Sequence, residues 1–257
     1  MKKLLLLLTL LALSVLCITA CGDTNAITTT PNEEDTTVTT TQDTTTTPVT
    51  TEAPTIEGNL YAFLGSSVTY GSASGGYSFA DALRDTYHCR IIKQAVSGTT
   101  LVDNGPDSYV QRIKKIHKSM KIQHLIVQLS TNDASQKKPL GELTADDVKD
   151  ITAFDTTTVI GAIEYIICYA QETWGCPVSF YTGTRYSSVE YTRMVQALLK
   201  IQKKWGIGVI DLWNDAEMRK VSDEDYARYM SDPIHPTKEG YIEWWMPKFH
   251  EHLLKYE

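Results

Sequence analysis

Three side chains able to do covalent acyl chemistry together stand far apart in this chain. A serine lies in Gly65-Ser66-Ser67, and an aspartate and a histidine lie in Asp232-Pro233-Ile234-His235. A serine early, with the acid and the histidine close together near the end, is one of the chain orders in which a Ser-His-Asp triad is assembled. A serine hydroxyl is a poor nucleophile until a base takes its proton, and an imidazole with a reference pKa near 6.5 can do so at neutral pH. The aspartate would select the imidazole tautomer and stabilise the imidazolium that forms. Pro233 keeps the tetrapeptide out of regular helix, so both side chains can point the same way from a short loop. The chemistry at stake is hydrolysis through an acyl-enzyme.

Residues so distant must be brought together by the elements between them. Short apolar runs at 60–64, 90–96, 124–129, 178–181 and 208–212 read as strands. Longer periodic segments at 78–87, 108–119, 156–173, 188–205 and 238–256 read as helices. Strand then helix, repeated, implies an α/β fold with a parallel sheet covered on both faces, whose active site collects at the C-terminal strand ends. Ser67 follows the first strand, Gly98 the second and Asn132 the third, while Asp232 and His235 lie between the fifth and the last helix. Each alone is an ordinary turn residue. Their joint placement at one edge is the functional signal.

The same residues carry a family resemblance. Gly65-Ser66-Ser67-Val68-Thr69-Tyr70-Gly71, Ser97-Gly98-Thr99-Thr100, Ser130-Thr131-Asn132-Asp133 and Asp232-Pro233-Ile234-His235-Pro236 resemble, in order, the four blocks of the SGNH, or GDSL, hydrolases. The resemblance runs from about Leu60 to the C-terminus. It implies a three-layer α/β/α sandwich, flavodoxin-like, around a mostly parallel five-stranded sheet. It also implies Ser67 as nucleophile, His235 as general base, Asp232 as the group that orients His235, and an oxyanion hole from the backbone N–H groups of Ser67 and Gly98 with the Asn132 amide. The pattern departs in places. Ser66 replaces the usual aspartate, Ser130 a glycine, and Lys93 and Ala95 an asparagine and a glycine. Ser66 is itself a serine, and alignment to Gly65 selects Ser67 as nucleophile. Arg185 could reach the cleft rim and bind an anionic or sugar group, or be a surface arginine.

The N-terminus reads as an address. Met1-Lys2-Lys3, an apolar run to Leu16 and Ile18-Thr19-Ala20-Cys21 resemble a bacterial lipoprotein signal, with cleavage after residue 20 and lipidation of Cys21. Residues 21–57 are rich in threonine, proline and acidic residues and have almost nothing to bury, so they read as a disordered tether. At roughly 3.1 Å per extended residue it reaches up to roughly 100 Å. The catalytic domain is expected at 58–257, extracytoplasmic and held on the cell membrane through Cys21.

With 42% apolar residues in 257, the chain has enough to bury for one sizeable core. A net charge of −7 gives no general attraction for nucleic acid, and none is expected as a partner. Cys89, Cys168 and Cys176 are an odd set without metal-ligand spacing, and His250 and His252 at i,i+2 lie on different helix faces, so no metal or other cofactor is expected. The expected activity is a serine esterase that deacetylates a carbohydrate, a polysaccharide or a cell-wall glycan, with Tyr186, Tyr229 and Trp244 available to stack on sugars. A lipid or lysophospholipid esterase and a non-catalytic glycan-binding lipoprotein on the same fold are the alternatives.

Overall fold

The computed structural model describes residues 53–257. The leader, Cys21 and nearly all of the tether lie outside the described residues. Ile56 is fully buried in the core, so packing begins just before residue 58.

Five strands form one sheet: β1 (Leu60–Gly65), β2 (Arg90–Ala95), β3 (His124–Gln128), β4 (Val178–Tyr181) and β5 (Gly208–Ile210). Their order is β2-β1-β3-β4-β5, and every neighbouring pair is parallel. The order reverses between β1 and β3, which opens a crevice at the C-terminal ends of those strands. Among the described residues, eight α-helices accompany the sheet: α1 (Ser67–Tyr70), α2 (Phe79–Tyr87), α3 (Tyr109–Ile113), α4 (Thr131–Ser135), α5 (Val159–Trp174), α6 (Val189–Trp205), α7 (Asp223–Tyr229) and α8 (Met246–Leu253).

Strand alternation sorts the core into two layers. Leu60, Ala62 and Leu64 face α3, α5 and α6, together with Leu125, Val127 and Phe180. Tyr61 and Phe63 face α2 and α8, together with Ile126, Tyr181 and Ile210. In that second layer Phe79 of α2 stacks on Phe249 of α8, with ring centroids 3.8 Å apart. The expected α/β/α sandwich is therefore the observed one, with a sheet that is parallel throughout.

Local departures from the expected elements have physical causes. The helix expected at 108–119 stops at Ile113, because Lys115 and Ile116 donate to Arg112 and Ile113 and tighten the chain to an i→i−3 turn. The strand expected to run to Leu212 ends at Ile210, where the Leu212 N–H turns back to the Ile210 carbonyl. The last helix opens with a π-helical stretch, Gly240–Trp245, immediately before Pro247. Proline has no N–H to continue the ladder and its ring crowds the carbonyl four residues back, which favours the wider turn. Helix α7 was not foreseen, although Ser222 caps it by accepting the Asp225 N–H, a Ser-x-x-Asp signature.

At the opposite end of the sheet from the serine, buried His124 and partly buried His252 share one hydroxyl. The Ser179 Oγ lies 2.8 Å from His124 Nε2 and 2.8 Å from His252 Nε2, and the buried His124 Nδ1 has no partner. Burial, and then His252, push His124 down to about 3. Burial, assisted by Lys255 and opposed by Glu251, holds His252 at about 4. Both rings stay neutral in the folded protein, whereas the unfolded chain takes up protons near the reference value of about 6.5. The unfolded state thus binds more protons between about pH 6.5 and 4, and stability must fall as pH drops through that window. Urea unfolding at stepped pH should show a loss on the order of a few kcal/mol across it, with a shallower slope in His252→Gln. Equal slopes in the two proteins would refute this account.

Candidate active site

Strand β1 delivers the serine into a turn that leaves no room for a side chain at its first residue. A Cβ on Gly65 would overlap the Thr69 hydroxyl. After Ser66 the chain enters α1, and Gly71 ends it at φ +87°, where a Cβ would overlap the Tyr77 carbonyl. The two serines diverge within this turn. Ser66 is fully buried and its N–H donates to Gln128 Oε1 at 2.9 Å, with its Oγ 3.3 Å from the same oxygen. Ser67 points outward, 8% exposed, and its Oγ lies 2.8 Å from His235 Nε2. Of the two serines, Ser67 is the one whose hydroxyl meets His235.

The Asp232–His235 segment forms a compact loop. Asp232 Oδ1 accepts the N–H groups of Ile234 and His235 at 2.8 and 2.9 Å, and Oδ2 lies 2.8 Å from His235 Nδ1. Partial burial pushes the Asp232 carboxyl up, but the Ile234 N–H and the His235 contacts outweigh it, and the group sits below its ordinary value. An ionised carboxylate can only accept, so Nδ1 carries the ring proton. Nε2 is left bare toward the Ser67 hydroxyl, the tautomer a general base requires. The loop is pinned behind by an antiparallel bridge between Met230 and Pro236, and Ser231 donates to the His235 carbonyl.

The expected oxyanion donors come from three strand ends. Among the described residues, neither the Ser67 nor the Gly98 backbone N–H is taken by a protein acceptor. Asn132, in α4, donates one amide hydrogen to the Thr99 carbonyl at 2.9 Å, which fixes the amide and leaves its second hydrogen available. Gly98 has φ +79° and open space around its Cα, so its backbone conformation, and not crowding by the protein, requires the glycine.

Three buried residues that sequence reasoning passed over hold these pieces in place. The Gln128 side-chain oxygen, at the end of β3, accepts from Ser66 and also from the Thr69 hydroxyl at 2.9 Å. Arg112, 1% exposed, donates to the carbonyls of Gly65, Gln94 and Asp107 and to the Thr99 hydroxyl, joining the ends of β1 and β2 to the Gly98 loop. Asp133 accepts the N–H groups of Leu101 and Val102 at 2.7 and 3.2 Å. Gln128 had a signal in the sequence, a polar residue closing an apolar strand before the Ser130–Asp133 block; Arg112 had none. Lys93, one of the departures from the family pattern, pairs with Asp81 and donates to the carbonyls of Tyr70 and Gly76, bracing the loop behind α1.

Other expected residues lie apart from the triad. Arg185 is exposed beyond β4, with its guanidinium 5.8 Å from the Trp213 ring centre. It lines a cavity of about 320 Å³ with Thr184, Arg219, Asp223, Tyr226 and Trp244. Trp244 stacks on Tyr229, and Tyr186 packs on Tyr191 and Trp213. His250 stacks on Tyr87, away from His252.

The GDSL-like lipase/acylhydrolase family model matches residues 63–241. No curated protein matches the sequence. Several solved structures share the fold. One is a protein from Lactobacillus plantarum, 20% identical, with a TM-score of 0.62, covering 78% of this chain and 97% of its own. Another, described as a possible lipase from Chitinophaga pinensis, is 16% identical with a TM-score of 0.57, over 75% of this chain and 96% of its own. An acetyl xylan esterase is 15% identical with a TM-score of 0.51, over 74% of this chain and 97% of its own.

Gln128 positions Ser67 without touching it. Gln128→Ala leaves buried donors unpaired, so it should cost roughly 2–4 kcal/mol of stability in denaturant unfolding. It should also lower kcat of the folded enzyme on 4-nitrophenyl acetate by roughly ten- to a hundredfold, with KM little changed. Ile163→Ala, a core truncation remote from the turn, should cost similar stability with kcat preserved. Equal kcat in the two variants would reduce Gln128 to a packing residue.

Proposed function

Because the chain belongs to the GDSL-like lipase/acylhydrolase family and is a serine hydrolase acting on ester bonds, we propose that Ser67, His235 and Asp232 carry an acyl-enzyme mechanism that deacetylates a carbohydrate outside the cytoplasm. The observation that carries this reading is the continuous relay from Ser67 Oγ to His235 Nε2 and from His235 Nδ1 to Asp232, with both contacts at 2.8 Å.

In this mechanism His235 Nε2 takes the Ser67 proton as Oγ attacks the ester carbonyl carbon. The oxyanion receives hydrogen bonds from the N–H groups of Ser67 and Gly98 and from the Asn132 amide. The tetrahedral intermediate collapses as His235 returns the proton to the departing sugar oxygen, leaving acetyl on Ser67. A water then gives its proton to His235 and attacks the acetyl carbon. Acetate leaves, and the proton returns to Ser67. Asp232, kept ionised by its backbone donors, stabilises the imidazolium at both steps.

The cavity beside α7 supports the carbohydrate reading through Thr184, Arg185, Arg219 and Asp223, which can bond hydroxyl groups, set among Leu212, Met218, Val221, Tyr226 and Trp244. A fold shared with an acetyl xylan esterase accords with it. The extracytoplasmic, lipid-anchored placement rests on the Met1–Cys21 signal and the Thr-rich segment that follows.

The full chain treated with a fluorophosphonate probe should be labelled, and Ser67→Ala should not. Acetate should be released from acetylated xylan or O-acetylated peptidoglycan faster than from short-chain lipid esters. Asn132→Ala should slow turnover by roughly a hundred- to a thousandfold while the protein still folds. Labelling that persists in Ser67→Ala would sink the mechanism, and turnover of the lipid ester alone would sink the substrate class. In a bacterial host, Cys21→Ala should move the protein from the membrane fraction to a soluble one; an unchanged membrane fraction would overturn the anchor.

A further inference from the structure

We propose that the cavity between the end of β4 and α7 is a subsite for a carboxylated sugar unit, so that the substrate is an acidic glycan carrying uronate residues. The inference rests on the carbohydrate-esterase reading of the same site. At about 320 Å³ the cavity lies near the lower end of small-ligand pockets, roughly 300–1,000 Å³. Such a space suits a compact ring better than a long chain.

Charge specifies the ring. Two guanidinium groups, Arg185 and Arg219, and one carboxylate, Asp223, line the cavity, leaving a net positive charge in a protein whose overall charge is −7. Arg219 is anchored by backbone carbonyls, donating from Nη2 to Asn214 at 2.8 Å and from Nε toward Asp215 at 3.4 Å. Arg185 rests above Trp213. Among the described residues neither has a carboxylate in ion-pair range, Asp223 included, so the donors that face the cavity are not taken by an acidic side chain. A planar guanidinium with unspent donors matches a carboxylate two bonds at a time. Trp244 and Tyr226 supply aromatic walls against which a sugar face can pack.

Position ties the cavity to the catalytic serine. Tyr226 lies on α7, and Met230, which caps that helix, is two residues before Asp232. Burial, and then the Asp232 charge, raise the Tyr226 hydroxyl above its ordinary value. In the strand order β1-β3-β4-β5, the ends of β4 and β5 stand roughly 10–14 Å from that of β1 at the usual strand spacing. A uronate held there would lie along the same glycan from the acetylated unit at Ser67.

The test uses the full chain in detergent with Ser67→Ala, so that binding is read without turnover. Affinity electrophoresis compares O-acetylated polygalacturonate with the same polymer after its carboxyls are reduced to alcohols. The proposal expects retardation by the acidic polymer only, weakened about tenfold by Arg185→Gln with Arg219→Gln. Equal retardation by both polymers, by neither, or retardation indifferent to the arginine changes would overturn it. Labelling of the Ser67 protein by fluorophosphonate, and acetate release from both polymers, report separately on the esterase reading. Selective retardation without turnover would sink that reading and leave the subsite standing, whereas turnover with no selectivity would do the reverse.

Discussion

One side-chain oxygen, Gln128 Oε1, is the point on which the catalytic geometry turns. It accepts from the Ser66 backbone and from the Thr69 hydroxyl, and thereby fixes both sides of the turn that carries Ser67. Its own position is set by β3, the strand beside β1 in parallel register, with Leu64 opposite Val127. A serine side chain has only one rotatable bond before its oxygen. The backbone of this turn therefore sets the few staggered positions Oγ can reach, and a neighbouring strand sets the backbone. Thr69 extends the link to the Tyr181 hydroxyl at 2.6 Å, so that three strand ends answer to one another through a few buried polar contacts.

Arg112 performs the corresponding task for the Gly98 loop. Burial lowers its affinity for a proton, opposed by Tyr109 and Asp107; among the described residues no carboxylate is in ion-pair range, and its guanidinium is satisfied by backbone carbonyls and one hydroxyl. Such a group is costly to bury, and its several donors must all find partners. The cost is offset by bringing Gly65, Gln94, Asp107 and Thr99 to defined positions. Asp133 does the complementary work from α4, accepting two backbone donors that follow the Gly98 loop. A buried guanidinium and a buried carboxyl thus hold the same loop, the first through Thr99 and the second through Leu101 and Val102.

The four motif blocks were legible because each is local. Ser67, Gly98, Asn132, Asp232 and His235 could be named from the chain, and the strand–helix alternation told at which edge of the sheet they would meet. The departures from the family pattern were legible as departures but not as interactions. That Lys93 would brace the Tyr70–Gly76 loop through Asp81 depends on β2 lying beside β1, which no local pattern reveals. The end of the helix at Ile113 and the π-helical start of the last helix likewise reflect where the chain must turn to meet its neighbours.

By itself the sequence determined the reaction class and the order of the elements, and it named the candidate reacting groups. Hydrophobic period, turn chemistry and catalytic residue types are properties of short segments and survive without a fold. Tertiary structure alone decided how Ser66 is turned into the core beneath Gln128, what holds the Gly98 loop, and that Arg185 and Arg219 share a cavity with Trp244. Each of these is a relation between segments separated by tens of residues or more. Their distance is set by parallel strand register and by which buried donors find acceptors, and neither is a property of any one segment.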